Sequence, residues 1–293
     1  MGIVLGPNQY GKAENRVVRV YRDQPRHVVR DLNVSTALRG DFGDAHTTGD
    51  QAHILPTDTQ KNTAFAFAKK HGVDEIEDYA LVLGRHFLEV PVVTAAQIEV
   101  DEYAWERIDV AGQGHDHAFV RKGQELRTTL VIVESGAGEP RATVTSGVKD
   151  LVLLKTTGSE FRGFYIDEYT TLQPTDDRIM ATSLTARWRY AHLEVEWTKA
   201  YDSIRSLVLE RFATVYSLAL QQTLYEIGRA VLTAHTEVME MTLVAPNKHH
   251  FAVDLSPYGL DNPGEVFIAA DRPYGLIQAT VLRDDEGQQG SDG

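Results

Sequence analysis

Four short stretches of the sequence hold side chains that could bind an anion or move a proton. The first is ILPTDTQKNT (54–63), followed by AFAFAKKHG. Thr57 and Gln60 have the spacing of a capping box, and Asp58 suits the positive end of a helix dipole. The same start would also offer free backbone N–H groups to an anion, with a threonine hydroxyl beside them. The residues alone satisfy either reading. The second stretch, NQYGKAENR, carries Lys12. A solvated lysine is only a surface charge, whereas one partly withdrawn from water can serve as a base. The third, APNKHHFAVDL, puts Asn247, His249 and His250 in a strand-like run. On a regular strand Asn247 and His249 share a face and His250 points away. That face is either a polar patch on a sheet edge or a pocket lining in which histidine relays protons near neutral pH. The fourth, GQGHDHAF, has His115 and His117 two apart. With no third ligand nearby and no cysteine, it reads as a turn and not a metal site. No Walker loop, GxSxG elbow or dinucleotide fingerprint is present.

The elements that must position these groups follow from periodicity. RVVRVYRD (16–23) and HVVRDLNVSTALRG (27–40) read as a hairpin, and DFGDAHTTGDQAH (41–53) as a loop. A helix is expected from Thr57, stopping at Gly72 after Lys69, Lys70 and His71, and a second from about Asp74. Strand-like runs follow at 94–108, 117–135, 141–157 and 181–192. Two further helices are expected over 194–214 and from about Ser217, then strands at 237–255 and 265–283. The order is two strands, two helices, two strands, and then the same again. It predicts an α+β fold of two ββααββ units, 1–140 and 141–283, each laying two helices on one face of an antiparallel sheet. Residues 284–293 (DDEGQQGSDG is the last of the chain) are expected to be a disordered tail. Exposed sheet edges favour assembly with other copies.

Composition narrows the function classes. The chain has 293 residues, 42% of them hydrophobic and 24% charged, as in an ordinary globular protein with a core that needs no staples. It has no cysteine, which removes disulfides, thiolate nucleophiles and cysteine-held zinc or iron–sulfur centres. A formal net charge of −13 argues against a nucleic-acid partner. An anionic small substrate would need a local positive pocket. No apolar run approaches a membrane span and no secretory signal is visible.

One stretch is more specific than the rest. LVLLKTTGSEFRGFYIDEYTTLQPTDDR (151–178) closely resembles the signature of urate oxidases, the uricase family, in residue types and spacing. YGK at 10–12, TDTQKNT at 57–63 and PNKHHF at 246–251 match further blocks of that family in order, so the resemblance runs from Tyr10 to about Arg283. It implies the tunnelling fold, a homotetramer with a barrel-lined tunnel, and oxidation of urate by dioxygen and water to 5-hydroxyisourate and hydrogen peroxide. It implies no metal and no organic cofactor.

The resemblance also implies roles. Lys12, Thr57 and His249 would form a proton relay, and Thr57 and Asn247 would hold dioxygen or water above the purine. Arg178 and Gln221 would grip opposite purine edges, Phe161 would stack on the ring, and the backbone N–H groups of Asp58 and Leu220 would complete the grip. Leu220 stands where valine is frequent, with only its backbone used. His250 stands where an aromatic is common, on a position expected to face away. The Thr57–Asp58 start would come from one chain and the Arg178–Gln221 clamp from its neighbour. The chain ends in QGSDG without the peroxisomal address of many eukaryotic members, which suggests a cytoplasmic, bacterial protein. Two other expectations compete: a tunnelling-fold enzyme acting on a pterin-like ring, and a non-catalytic oligomeric purine-binding protein.

Overall fold

A computed structural model describes residues 2–284, so the expected tail lies, save for Asp284, outside the described residues. The first half of the chain forms strands β1 (Tyr10–Tyr21) and β2 (Val28–Gly40), a short helix α1 (Gly43–Thr47), helices α2 (Thr57–Lys70) and α3 (Ile76–Leu88), and strands β3 (Val93–Val110) and β4 (Gln113–Glu134). The second half forms β5 (Arg141–Lys155), β6 (Met180–Tyr190), α4 (Trp197–Thr214), α5 (Leu220–Ala234), β7 (Val238–Ala252) and β8 (Phe267–Leu282). Hydrogen-bonded neighbours follow chain order from β1 to β8. The α+β class and the doubled ββααββ order are as expected.

Two compact units divide the chain. One holds the chain to Gly147 together with Arg189–Thr198, and the other holds Val148–Trp188 and the chain from Lys199 onward. In the first unit, β2 and β3 bury alternate apolar side chains, among them Leu32, Val34, Leu38, Ile98 and Val100, while α2 lies against β1 and α3 against β3 and β4. α3 presents Ile76, Tyr79, Leu83 and Phe87 to this core at helical spacing. Its start carries a buried ionic cluster: Glu77 accepts from Arg127 Nη2 at 2.8 Å and from Ser146 Oγ at 2.6 Å. Burial pushes the Glu77 carboxyl up despite Arg127, while the surrounding carboxylates hold Arg127 protonated. In the second unit, α5 packs on β7 and β8 through Leu224, Ile227 and Val231.

Several boundaries differ from expectation. β1 begins six residues before the apolar run that announced it, because its first half is polar and irregular. The loop expected at 41–53 contains α1, a helix of five residues with no buried side chain, which leaves no periodic signal. α4 starts at Trp197 and not Glu194; Trp197 is buried and donates its indole N–H to Asp78 at 2.8 Å. His115 and His117 lie on β4, ring centroids 4.5 Å apart, while the turn is Ala111–Gly112. Among the described residues no helix is long and apolar enough to cross a membrane.

Candidate active site

In the first unit, β1 and the start of α2 carry three of the expected residues. Lys12 is half-buried on β1, where regular pairing with β2 breaks between Lys12 and Asn15. Just before the break, Gly11 runs so close to β2 that a Cβ there would overlap the Thr36 carbonyl. Thr57 is the first residue of α2, with Pro56 as N-cap and no side-chain capping bond. The capping box expected from Thr57 and Gln60 is therefore not formed. Gln60 is drawn inward instead, accepting from the Thr36 hydroxyl at 2.7 Å and donating to the Leu55 carbonyl at 3.3 Å. The Asp58 carboxylate binds Lys61 and accepts from Asn62 at 2.9 Å. The Lys61 ammonium, and more weakly Lys12, hold it below the usual carboxylate range. Lys12 thus lies within electrostatic reach of the α2 start, with positive charge gathered at the Thr57–Asp58 end.

The second unit carries the other six. The Arg178 guanidinium lies over the Phe161 ring, 4.9 Å from its centroid. Burial lowers the Arg178 pKa, and its Nε has no hydrogen-bond partner among the described residues. A half-buried guanidinium stacked on an aromatic, with a donor unused, is suited to a planar anion. Its loop is tied down on both sides. Phe161 and Thr175 exchange backbone bonds of 2.9 and 3.0 Å. The Asp177 carboxylate accepts from the Thr157 hydroxyl at 2.7 Å and from the Gly158 N–H at 2.9 Å, bonds that hold it below the usual range.

That same strand segment steadies α5. Glu160 N–H donates to the Ser217 carbonyl at 2.8 Å and Ser217 N–H to Gly158 at 2.9 Å. Ser217 is consequently a bridge residue ahead of the helix and not its start. α5 begins at Leu220 with Ala219 as N-cap and no side-chain cap. Leu220 is buried; Gln221, next to it, is exposed. Asn247 and His249 are half-buried on β7, where the β7–β8 register shifts between them: Asn247 faces Gly275 and His249 faces Ala270. The extra residues of that break lie on β8, between Ala270 and Gly275, while β7 itself runs unbroken from Val238 to Ala252. His249 stacks on Phe251 at 5.7 Å, and His250 Nδ1 lies 3.1 Å from the Lys248 carbonyl.

Sequence reasoning missed Asp177, whose only signal is its place beside Arg178 in TDDR. For Gln60 the spacing points to a helix cap, whereas its partners are Thr36 and Leu55.

Known proteins resemble the chain in sequence and in fold. A profile of the uricase family matches residues 8–132 and 144–278. The chain is 53% identical over 283 residues to a uricase of Arthrobacter globiformis, covering 96% of this chain and 91% of that protein. It is 36% identical over 280 residues to a uricase of Dictyostelium discoideum, covering 94% and 96%. The crystal structure of the Arthrobacter globiformis uricase aligns with a TM-score of 0.92 at 51% identity, over 100% of this chain and 98% of that one. With the doubled α+β order, the stacked guanidinium and the two uncapped helix starts already established, these matches make the chain a member of the uricase family, the urate oxidases.

Proposed function

We propose that the chain oxidises urate with dioxygen and water to 5-hydroxyisourate and hydrogen peroxide, in a homotetramer of tunnelling-fold units spanning 1–140 and 141–283. The observation that carries the substrate side is Arg178. Its guanidinium is half-buried, stacked on Phe161 and short of one partner, and the segment next to Phe161 is bonded to Ser217, just ahead of the helix that presents Gln221. Arg178 donates to the acceptors of one edge of the anionic purine, and Gln221 both donates to and accepts from the other edge. Phe161 stacks on the ring. The free N–H groups of Asp58 and Leu220 reach the remaining oxygens, as uncapped helix starts can.

Chemistry begins with a proton. Urate monoanion must lose another proton to become electron-rich enough to reduce dioxygen. Lys12 takes that proton through the Thr57 hydroxyl, and His249 exchanges protons with the lysine. The purine then passes two electrons to dioxygen, which leaves as hydrogen peroxide after gaining two protons. Water adds at C5 to give 5-hydroxyisourate. Asn247 and Thr57 hold first dioxygen and then water above the ring, the amide donating to the oxygen species. The electrons come from the substrate, so the reading needs neither a metal nor an organic cofactor. Lys12, Thr57 and Asp58 belong to one unit and the remaining six residues to the other. The reading builds each site from one protomer's first unit and a neighbour's second.

The test is turnover in metal-chelated buffer, followed by loss of urate absorbance and formation of peroxide. Wild-type protein is expected to be active. Lys12→Met should lower turnover roughly 10²–10⁴-fold, the usual worth of a positioned base, with far less effect on affinity for xanthine, a flat purine unable to complete the reaction. Equal losses in both would remove Lys12 from proton transfer. Binding without turnover in the wild type would make the chain a purine-binding protein.

A further inference from the structure

We propose that Thr36 and Gln60 are positioning residues that hold the break in β1 and thereby aim Lys12 at the start of α2. The inference rests on the reading of Lys12 as the base. Regular β1–β2 pairing stops after Lys12 and resumes at Asn15. Within the break Glu14 has φ of 54°, a left-handed backbone that residues with side chains seldom adopt. Breaks of this kind redirect a side chain, at the expense of ladder partners for the backbone. Here two hydroxyls of β2 accept the displaced bonds. Lys12 N–H donates to Thr36 Oγ1 at 3.2 Å, and Glu14 N–H donates to Ser35 Oγ at 2.9 Å.

The Thr36 hydroxyl then has one proton to place, and it goes to Gln60 Oε1 at 2.7 Å. The Gln60 amide nitrogen donates to the Leu55 carbonyl at 3.3 Å, which also accepts from the Tyr10 hydroxyl at 3.0 Å. Thr36 is 7% exposed and Gln60 is fully buried, so neither can exchange these partners for water. The circuit starts at the backbone of Lys12 and ends two residues before Thr57. It fixes the base and the hydroxyl it would draw on through a single set of directional bonds. Each link uses a polarity that an apolar side chain of equal size lacks: Thr36 accepts and donates, and Gln60 accepts at oxygen and donates at nitrogen.

The experiment compares full-length Thr36→Val, Thr36→Ser, Gln60→Met and Lys12→Met. It reads urate kcat, its pH profile, the Kd for xanthine and the melting temperature. Thr36→Val and Gln60→Met are expected to lower kcat about tenfold or more, a cost typical of a misplaced reacting group, with the xanthine Kd held within about twofold. Thr36→Ser, which keeps the hydroxyl, should restore most of the rate. Wild-type kcat in both apolar variants overturns the proposal. So does a fall in kcat matched by a weaker xanthine Kd and a lower melting temperature, the pattern of a purely architectural network. Lys12→Met separates the two levels. If it keeps turnover, the base assignment fails and this inference with it. If it loses turnover while Thr36→Val does not, only the positioning role fails.

Discussion

α3 and α5 hold the same place in the two ββααββ repeats and are written alike. Each opens on a buried apolar residue, Ile76 or Leu220, and each carries an apolar-Gly-Arg triplet, Leu83-Gly84-Arg85 or Ile227-Gly228-Arg229. In each the glycine lies against a valine of the last strand of its repeat, Val133 of β4 or Val281 of β8. The difference is the second residue. Glu77 is fully buried and closed off by Arg127 and Ser146, whereas Gln221 is exposed. β1 and β5 make a parallel contrast. Gly11 and Gly147 are each followed three residues later by a non-glycine of positive φ, Glu14 at 54° and Asp150 at 59°. The residue after the glycine is half-buried Lys12 in one and fully buried Val148 in the other. The repeat thus supplies each backbone device twice. The positive-φ segment of β1 and the start of α5 leave Lys12 and Gln221 at least partly exposed, whereas their counterparts Val148 and Glu77 are absorbed into the core.

Variants can sharpen or break this contrast. The largest effect is expected from Glu77→Ala, which removes the fully buried carboxylate shared by Arg127 and the Ser146 hydroxyl and leaves Arg127 paired with Glu75 at 3.0 Å. Loss of one member of a buried pair costs about 3–5 kcal/mol, read as a lower midpoint in denaturant unfolding. A change under 1 kcal/mol would mean the closed start is held by packing alone. Next comes Gln221→Glu, which gives α5 the residue of α3. A carboxylate facing an anionic purine should raise the urate KM about 100-fold, near 2.7 kcal/mol, with kcat little altered. An unchanged KM would take Gln221 out of the site. Smaller effects are expected at the shared glycines. A Cβ at Gly228 would fall 2.5 Å from Val281 Cγ2, and one at Gly84 2.7 Å from Val133 Cγ2. Gly→Ala at either should cost about 1–3 kcal/mol by overpacking, partly offset by better helix propensity, with similar losses in both halves. Thermal unfolding would show whether one half tolerates it better. The smallest is Lys61→Met. It leaves the exposed Asp58 carboxylate with Asn62 alone and should leave the melting temperature nearly unchanged, with urate KM rising only slightly.

The sequence carried the element order well because most elements have clean periods. α3 and α5 bury a regular stripe, and β2, β3 and β7 alternate. What it concealed lies where local rules conflict with tertiary partners. Thr57 and Gln60 have capping-box spacing, yet Thr36 draws Gln60 inward and the cap position falls to Pro56. Ser217 is a good N-cap residue, yet its backbone pairs with 158–160 and the helix waits for Leu220. A polar segment interrupted by one left-handed residue, Glu14, has no strand period, so the first half of β1 leaves no signal. The register break between Asn247 and His249 likewise cannot be read from alternation. Motif resemblance singles out Lys12, Thr57, Arg178 and Gln221, but the Asp177 bonds and the Thr36–Gln60 circuit join residues far apart in the chain and leave no local pattern.

The bare first turns of α2 and α5 have an engineering consequence. Proline and alanine at the cap positions forgo the roughly 1 kcal/mol that a serine or aspartate supplies in such places. A search for thermostable variants should therefore find Ala219→Asp attractive, and a screen on heat resistance alone would select it. The new carboxylate would occupy the amide donors and set a fixed negative charge there. If the Leu220 N–H grips the purine as proposed, heat resistance gained at that position costs affinity, and stabilising changes belong on faces of these helices remote from their first turns.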